Sequence, residues 1–250
     1  MLALLEPWRR LTSPRFVGLE RIPRGEGPLL FVGNHTILGV LDTPLLVAEV
    51  YRSAGILLRG LGDHAHFKIP VWRDLLARMG AVDGTRENCD RLMREGEAVL
   101  VFPGGAREVA KRRGEKYRLM WKERLGFARM ALAHGCTVVP FAAVGAEDAL
   151  DIVLDADDLM RSPLGAIIRK LGIRSDVVMP LVKGVGPTPL PRPERMYFHI
   201  GEPIRVVRAG GDDAARELRD RVKAAVEEGI EELLHLRAGD PGRTLKGRML

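Results

Sequence analysis

The sequence predicts a single layered α/β domain with a central mixed, mostly parallel sheet flanked by helices. Three observations lead there. Short apolar runs alternate with segments of helical period along most of the chain. Of the 250 residues, 46% are hydrophobic and 29% charged, enough for one core and a solvated surface. No internal repeat or low-complexity tract breaks the pattern, and residues 184–193, with four prolines, read as an extended rigid connection rather than a hinge between domains.

The elements follow in order. Residues 28–32 (PLLFV) predict a buried strand. Residues 42–51 predict a helix with Asp42 as N-cap and Pro44 in the permissive first turn. Helices over 70–79 and 85–95 stop at Gly80 and Gly96, the second capped by Thr85. Residues 98–102 (AVLVF) predict a strand ended by Pro103-Gly104-Gly105. Residues 115–134 predict one long helix closed by Gly135, and 137–144 a strand that Pro140 places at an edge or a bulge. A short strand over 196–200 and an amphipathic helix over 212–236 complete the set, the latter with Leu218, Val222, Val226, Ile230 and Leu233 on one stripe. The expected organisation is an N-terminal segment (1–16), a main domain (17–236) and a C-terminal tail (237–250).

Charge narrows the partners. Lys+Arg 39 against Asp+Glu 33 gives +6, which favours phosphate, anionic lipid or nucleic acid. The excess is local: residues 107–124 hold eight bases and three acids, whereas 212–232 hold eight acids and four bases. Aromatics are 5% of the chain and do not interleave with the bases, which argues against RNA reading. Cys89 and Cys136 make no disulfide framework and suit a reducing compartment. The longest charge-free stretch, 130–146, contains His134, Gly135 and Pro140 and is a poor membrane span. Glu6 and Arg9 interrupt the N-terminal apolar run too early for a signal peptide. Residues 1–16 instead join Leu4, Leu5, Trp8 and Leu11 to Arg9, Arg10 and Arg15, as a segment lying in a membrane interface would. The expected location is cytoplasmic, peripheral on the inner face of a membrane.

Several chemistries lack their motif. None of Ser13, Ser53, Ser162 and Ser175 sits in a GxSxG elbow, and there is no GxxxxGK[ST] phosphate loop or dinucleotide fingerprint. His64 and His66 alone do not make a metal site. Three segments do carry chemistry. Asn34-His35 leaves the end of a buried strand, where α/β proteins place ligands, and Asp42 is placed to orient the imidazole as a base. Gly104 and Gly105 let backbone N–H groups approach a ligand oxygen, and Arg107 adds a forked donor, followed by Glu108. Arg86 stands in the first turn of a helix, a poor place for a cation unless an anion is near.

In this order the segments resemble the glycerolipid acyltransferase superfamily. The blocks are Asn34-His35…Asp42, Gly80…Arg86, Phe102–Arg107 and Val139-Pro140. The variant Phe-Pro-Gly-Gly-Ala-Arg-Glu is similar to the branch of mono- and diacylglycerol acyltransferases and their bacterial relatives. Two departures stand out: six residues separate His35 from Asp42 where the superfamily commonly has four, and Gly104 replaces the usual Glu. The resemblance implies an acyltransferase fold in which His35 deprotonates an acceptor hydroxyl, Asp42 orients His35, and Asn34, Arg86, Gly104, Gly105, Arg107 and Glu108 meet the substrates. The implied partners are an acyl thioester of coenzyme A or acyl carrier protein, a lipid acceptor and a membrane surface, with no metal or redox cofactor and no nucleic acid. A neutral acceptor, such as a mono- or diacylglycerol or a long-chain alcohol, is expected over a lysophospholipid; a thioesterase or a non-enzymatic lipid binder are the other readings.

Overall fold

The computed structural model describes residues 2–25, 27–172 and 174–249. In chain order the helices are α1 (Leu2–Thr12), α2 (Thr43–Ala54), α3 (His64–Phe67), α4 (Pro70–Arg78), α5 (Arg86–Arg94), α6 (Ala106–Val109), α7 (Gly126–His134), α8 (Ala156–Arg161), α9 (Pro163–Lys170), α10 (Asp212–Ala238) and α11 (Leu245–Met249). The strands are β1 (Arg15–Val17), β2 (Leu29–Gly33), β3 (Leu58–Gly62), β4 (Val82–Asp83), β5 (Ala98–Val101), β6 (Thr137–Val144), β7 (Asp151–Leu154), β8 (Leu181–Lys183), β9 (Tyr197–Ile200) and β10 (Ile204–Arg205).

The main sheet runs β1-β9-β6-β2-β5-β3-β4, with β10 also on β6. From β6 to β4 all pairs are parallel, while β9 and β10 run antiparallel to β6, so the sheet is mixed and mostly parallel. Both faces are covered. Leu30 and Val32 of β2 point into a core with α5, α7 and α10 on one side. Leu29 and Phe31 point into a second core with α2 on the other. This explains why β2 reads as a continuous apolar run: alternate side chains enter different cores. All four parallel strands from β2 to β4 release the chain at one sheet edge, and the segments singled out from the sequence leave from there.

Two expectations are corrected. Pro140 lies neither at an edge strand nor at a bulge but inside the central β6. Its missing N–H falls at the junction where β10 stops pairing (Thr137, Val138) and β9 begins (Phe141), so no ladder donor is lost, and its carbonyl accepts from Gly201 N at 2.8 Å. The helix expected over 115–134 begins only at Gly126. Residues 115–125 form successive turns, with Tyr117 and Lys122 left-handed. Trp121 explains the break: it is fully buried and meets Phe127 edge-on at 5.6 Å, which a straight helix would not allow while also keeping Phe127 in the core.

The N-terminal α1 docks on the domain. Trp8 donates to Leu41 O at 2.8 Å and packs against the α2 core, Arg9 and Arg52 face acids of the opposing helix, and Arg248 Nη2 reaches Leu11 O at 2.7 Å. Among the described residues no helix is long and apolar enough to cross a membrane.

Trp121 also yields a test. Its indole N–H is buried without an acceptor, so Trp121→Phe removes an unpaired donor together with some volume. Trp121→Ala should cost about 3–5 kcal/mol in chemical denaturation. Trp121→Phe should cost less than half of that; equal losses would show that the ring volume alone matters.

Candidate active site

The site is assembled where β2 and β5 end. Gly33 closes β2, and Asn34 continues its pairing with a side chain: Nδ2 donates to Ala143 O at 2.9 Å and Ala143 N donates to Oδ1 at 2.8 Å. The amide thus behaves as one more rung of the β2–β6 ladder and aims the next residue away from the sheet. Asn34, expected to bind substrate, is buried and used up in this bidentate bond.

His35 follows. Its ring stacks on Phe102 with centroids 4.0 Å apart and planes 11° from parallel. Its edge rests on Gly39, whose left-handed φ of 63° and lack of a side chain admit the ring; a Cβ there would lie 2.9 Å from Nε2. Nδ1 is buried and has no hydrogen-bond partner among the described residues. Burial first, then the Lys111 charge, push the imidazole down to about 3, so the ring is neutral at any physiological pH.

Asp42 does not orient it. The carboxylate caps α2 instead, Oδ1 accepting from Thr43 N at 2.8 Å, and burial raises its pKa against help from Thr36 and Thr43. The two extra residues between His35 and Asp42 explain this. Leu38 and Gly39 are both left-handed, Gly39 N closes on Thr36 O at 3.1 Å, and the loop turns back toward α6 through Leu38 N to Val109 O at 3.3 Å. The turn carries Asp42 to the helix start and leaves the imidazole to Phe102 and Gly39.

Glu108 takes over the anchoring. It is fully buried; Oε2 accepts from His35 N at 2.8 Å and Oε1 from Met120 N at 2.7 Å. A Cβ on Gly104 would collide with this carboxyl group. The glycine that replaces the usual acid therefore makes room for another acid four residues on. Burial raises the pKa of Glu108, and Lys111 leads the effects that oppose the rise. Glu108 holds the backbone of His35 rather than a substrate.

Other expected ligands are engaged internally. Arg107 is nearly buried and bonds Glu115 and Ala110 O. Gly105 N donates to Phe102 O at 2.9 Å, which closes the turn and withdraws that N–H from an oxyanion. Gly104 N keeps no protein acceptor among the described residues. Arg124 Nη1 clamps the turn through Pro103 O and Gly104 O, both at 2.8 Å. Arg86 is exposed on α5 beyond β4, without a hydrogen bond or ion pair among the described residues. β4, which precedes it, is three strands along the sheet from β2. His64 bonds Asp83 at 2.7 Å, and the described residues hold no cluster of three His, Cys, Asp or Glu suited to a metal.

Two cavities flank the 36–41 loop. One, of about 300 Å³, is apolar and is lined by Val40, Pro44, Val47, Leu58, Leu76 and Met79. The other, of about 350 Å³, lies beside Ile37 between Lys111, Arg112 and Lys116 on one side and Leu150 and Ile152 on the other. Its bases are already matched. Lys111 pairs with Glu147 at 3.2 Å, both nearly inaccessible; Arg112 pairs with Asp157 at 3.0 Å, Lys116 with Asp148 at 2.7 Å, and Arg113 with Asp158. Burial pushes Glu147 up to about 7 despite Lys111. Sequence reasoning missed Gly39, Phe102 as a ring support and this ion-pair set. The double left-handed turn is written in no motif, although the acid-only run 147–158 opposite a basic run was a readable signal.

A family model described as Acyltransferase matches residues 13–144. Phytyl ester synthase 2, a chloroplastic protein of Arabidopsis thaliana, is 35% identical over 263 residues, covering 93% of this chain and 36% of its own. The human DGAT1/2-independent enzyme synthesizing storage lipids is 34% identical over 123 residues, covering 49% of this chain and 37% of its own. The chain therefore spans little more than a third of these relatives. The crystal structure of the 1-acyl-sn-glycerophosphate (LPA) acyltransferase of Thermotoga maritima superposes with a TM-score of 0.55 at 19% identity, over 93% of this chain and 79% of that one, a likeness of fold.

Glu108 and Asp42 should behave oppositely. Glu108→Ala leaves two partly buried N–H donors unpaired and should cost about 1–3 kcal/mol of stability for each donor that stays out of reach of water, together with most of the activity, read by thermal melting and acyl-transfer assay. Asp42→Asn keeps the capping oxygen and should retain activity within a few-fold. A large, selective loss of kcat in Asp42→Asn would restore Asp42 as the partner of His35.

Proposed function

Because the chain belongs to the acyltransferase family of the glycerolipid acyltransferase superfamily, we propose that it moves a fatty acyl group from an acyl thioester to the hydroxyl of a neutral lipid at a membrane surface. The observation that carries this reading is the position of His35. A neutral imidazole leaves the end of β2 directly before the 36–41 loop, and that loop contributes Ile37 to the cavity with matched charges and Gly39 and Val40 to the apolar one. The apolar cavity suits the acyl chain, and the cavity beside Ile37 suits the acceptor.

The reaction follows from these positions. His35 takes the proton of the acceptor hydroxyl, and the oxygen attacks the thioester carbonyl. Gly104 N–H is the donor left open for the developing oxyanion. The tetrahedral intermediate collapses with cleavage of the C–S bond, and the imidazolium returns its proton to the thiolate. A base kept neutral by burial is available over the whole physiological range, at the cost of a weaker pull on the proton. The donor, coenzyme A or an acyl carrier protein, brings phosphates; Arg86 is exposed and unpaired at the far end of the sheet edge and fits them.

Charge favours the neutral acceptor. Arg107 is held by Glu115, and Lys111, Arg112, Arg113 and Lys116 each face an acid from 147–158. A phosphorylated acceptor would have to break these pairs, whereas a hydroxyl lipid need not. The relatives named phytyl ester synthase, an ester of a long-chain alcohol, agree with this choice. The same reading places the protein on the inner face of a membrane.

His35→Ala should lower turnover about 10²–10⁴-fold with the fold intact; near-normal turnover would end the mechanism. For the native chain, kcat/KM should show no inflection near the ordinary histidine value of about 6.5, because folding lowers this pKa to about 3. For stability the sign is set by the same shift: the unfolded chain binds the proton first, so the contribution of His35 falls as pH drops from about 6.5 toward 3. The acceptor is tested with one long-chain acyl thioester and a panel of diacylglycerol, a long-chain alcohol and lysophosphatidic acid. Ester should form on the neutral acceptors; product from lysophosphatidic acid alone would overturn the choice.

A further inference from the structure

β6 and β9 are antiparallel neighbours that a short connection would join, yet 52 residues, 145–196, intervene. This excursion carries β7, β8, α8 and α9 and lies past the end of the family match at residue 144. None of the described residues from 147 to 195 joins either core cluster. Its apolar side chains point elsewhere. Ten of the 24 exposed large hydrophobic side chains among the described residues lie in the 38 positions from 153 to 190. On α9 and just after it, Leu164, Ile167 and Leu171 recur at helical spacing and are 55%, 55% and 67% exposed.

The charges of the excursion are segregated. Residues 147–158 hold six acids and no base, and most of them face the body: Glu147, Asp148, Asp157 and Asp158 pair with Lys111, Lys116, Arg112 and Arg113, Asp148 also meets Arg237 at 3.2 Å, and Asp151 pairs within the excursion, with Arg192. Residues 161–183 hold five bases (Arg161, Arg169, Lys170, Arg174, Lys183) against Asp176 alone. The acidic half fastens the excursion to the domain, and the outer half presents an apolar stripe among cations.

We propose that this outer half, centred on α9, seats the protein on an anionic lipid bilayer. An exposed apolar stripe flanked by Lys and Arg is the chemistry of an interfacial helix, whose apolar face enters the acyl boundary while its cations meet lipid phosphates. The N-terminal α1 offers less of this chemistry, since Trp8 and Arg9 are spent on the 41 position and α2, Arg10 pairs with Glu6 of its own helix, and Leu11 borders a groove shared with Leu245, leaving Leu4 as its most exposed apolar side chain. The excursion also begins at the site: Leu150 and Ile152 line the cavity beside Ile37. A lipid leaving the bilayer along this wall arrives at the His35 loop. The inference rests on the proposed lipid acyl transfer for its purpose but not for its test.

The full chain and the variant Leu164→Ser/Ile167→Ser/Leu171→Ser are floated with phosphatidylcholine vesicles with and without phosphatidylglycerol. The native chain should bind the anionic vesicles better, and high salt should remove that preference. The triple variant should bind at least about tenfold more weakly with an unchanged melting temperature. Acyl transfer to a vesicle-embedded alcohol should fall in parallel, while transfer to a short water-soluble alcohol should be retained. Flotation of the variant like the native chain overturns the proposal, as does flotation lost through Val71→Ser on α4 instead. A change in sedimentation without a change in vesicle binding would assign the stripe to a second copy and also overturn it. If no alcohol is acylated by the native chain, the catalytic reading fails, and flotation still decides the surface.

Discussion

The buried carboxylate of Glu108 is the tie on which the site depends. It joins two stretches of backbone that have no secondary structure of their own, the turn at His35 and the turns leading to Met120. Both oxygens are satisfied by N–H groups, which is what makes a buried acid tolerable. It fits only because residue 104 lacks a side chain, so the Gly-Gly turn makes room for the anchor. Position and protonation of His35 then follow from different causes: the backbone is fixed by Glu108, the ring by Phe102 and Gly39, and the pKa by burial.

Electrostatics in this protein is directed mostly inward. The +5 of residues 107–124 suggested an anion-binding face, yet most of its cations around the cavity are matched by the acids of 147–158. Of these pairs, Lys111–Glu147 is so buried that desolvation offsets much of its attraction, so it contributes little net stability. What the set fixes is where the excursion sits against the sheet, and so the width of the cavity beside Ile37. The unmatched positive charge is thereby moved outward, to the 161–183 half of the excursion.

The fold was largely legible because its signals are local. Continuous apolar runs marked β2, β5 and β6, and Asp42, Thr85, Gly80, Gly96 and Gly135 marked helix ends at or within a residue of their places. Errors arose where a non-local contact overrides local preference: Trp121 breaks a helical pattern to reach the core, and Pro140 survives inside a sheet because two partner strands meet at it. The site followed the same rule. His35 was found from its place after a strand, but its supports were not, because stacking on Phe102 and the reach of Glu108 join residues 67 and 73 positions apart. Asp42 reads as the partner of the imidazole from its place at the start of the next helix as well as from motif order, and two additional loop residues are enough to leave it as a helix cap.

The arrangement settles a tension in the proposed chemistry. An imidazole near its ordinary pKa, paired with a carboxylate, would be a stronger base but would carry a charged partner into the reaction centre. Here the ring rests on an aromatic face and its buried Nδ1 has no hydrogen-bond partner among the described residues, in surroundings dry enough to hold it neutral. The two cavities at the adjoining loop offer apolar walls, Val40 and Val47 in one and Ile37 and Ile152 in the other, against which the hydrocarbon of the proposed substrates would lie. Low polarity weakens the base at rest, yet it strengthens each hydrogen bond formed when charge develops between hydroxyl, imidazole and carbonyl. A site built this way gains most from lipid substrates, whose own tails complete the exclusion of water that the protein begins.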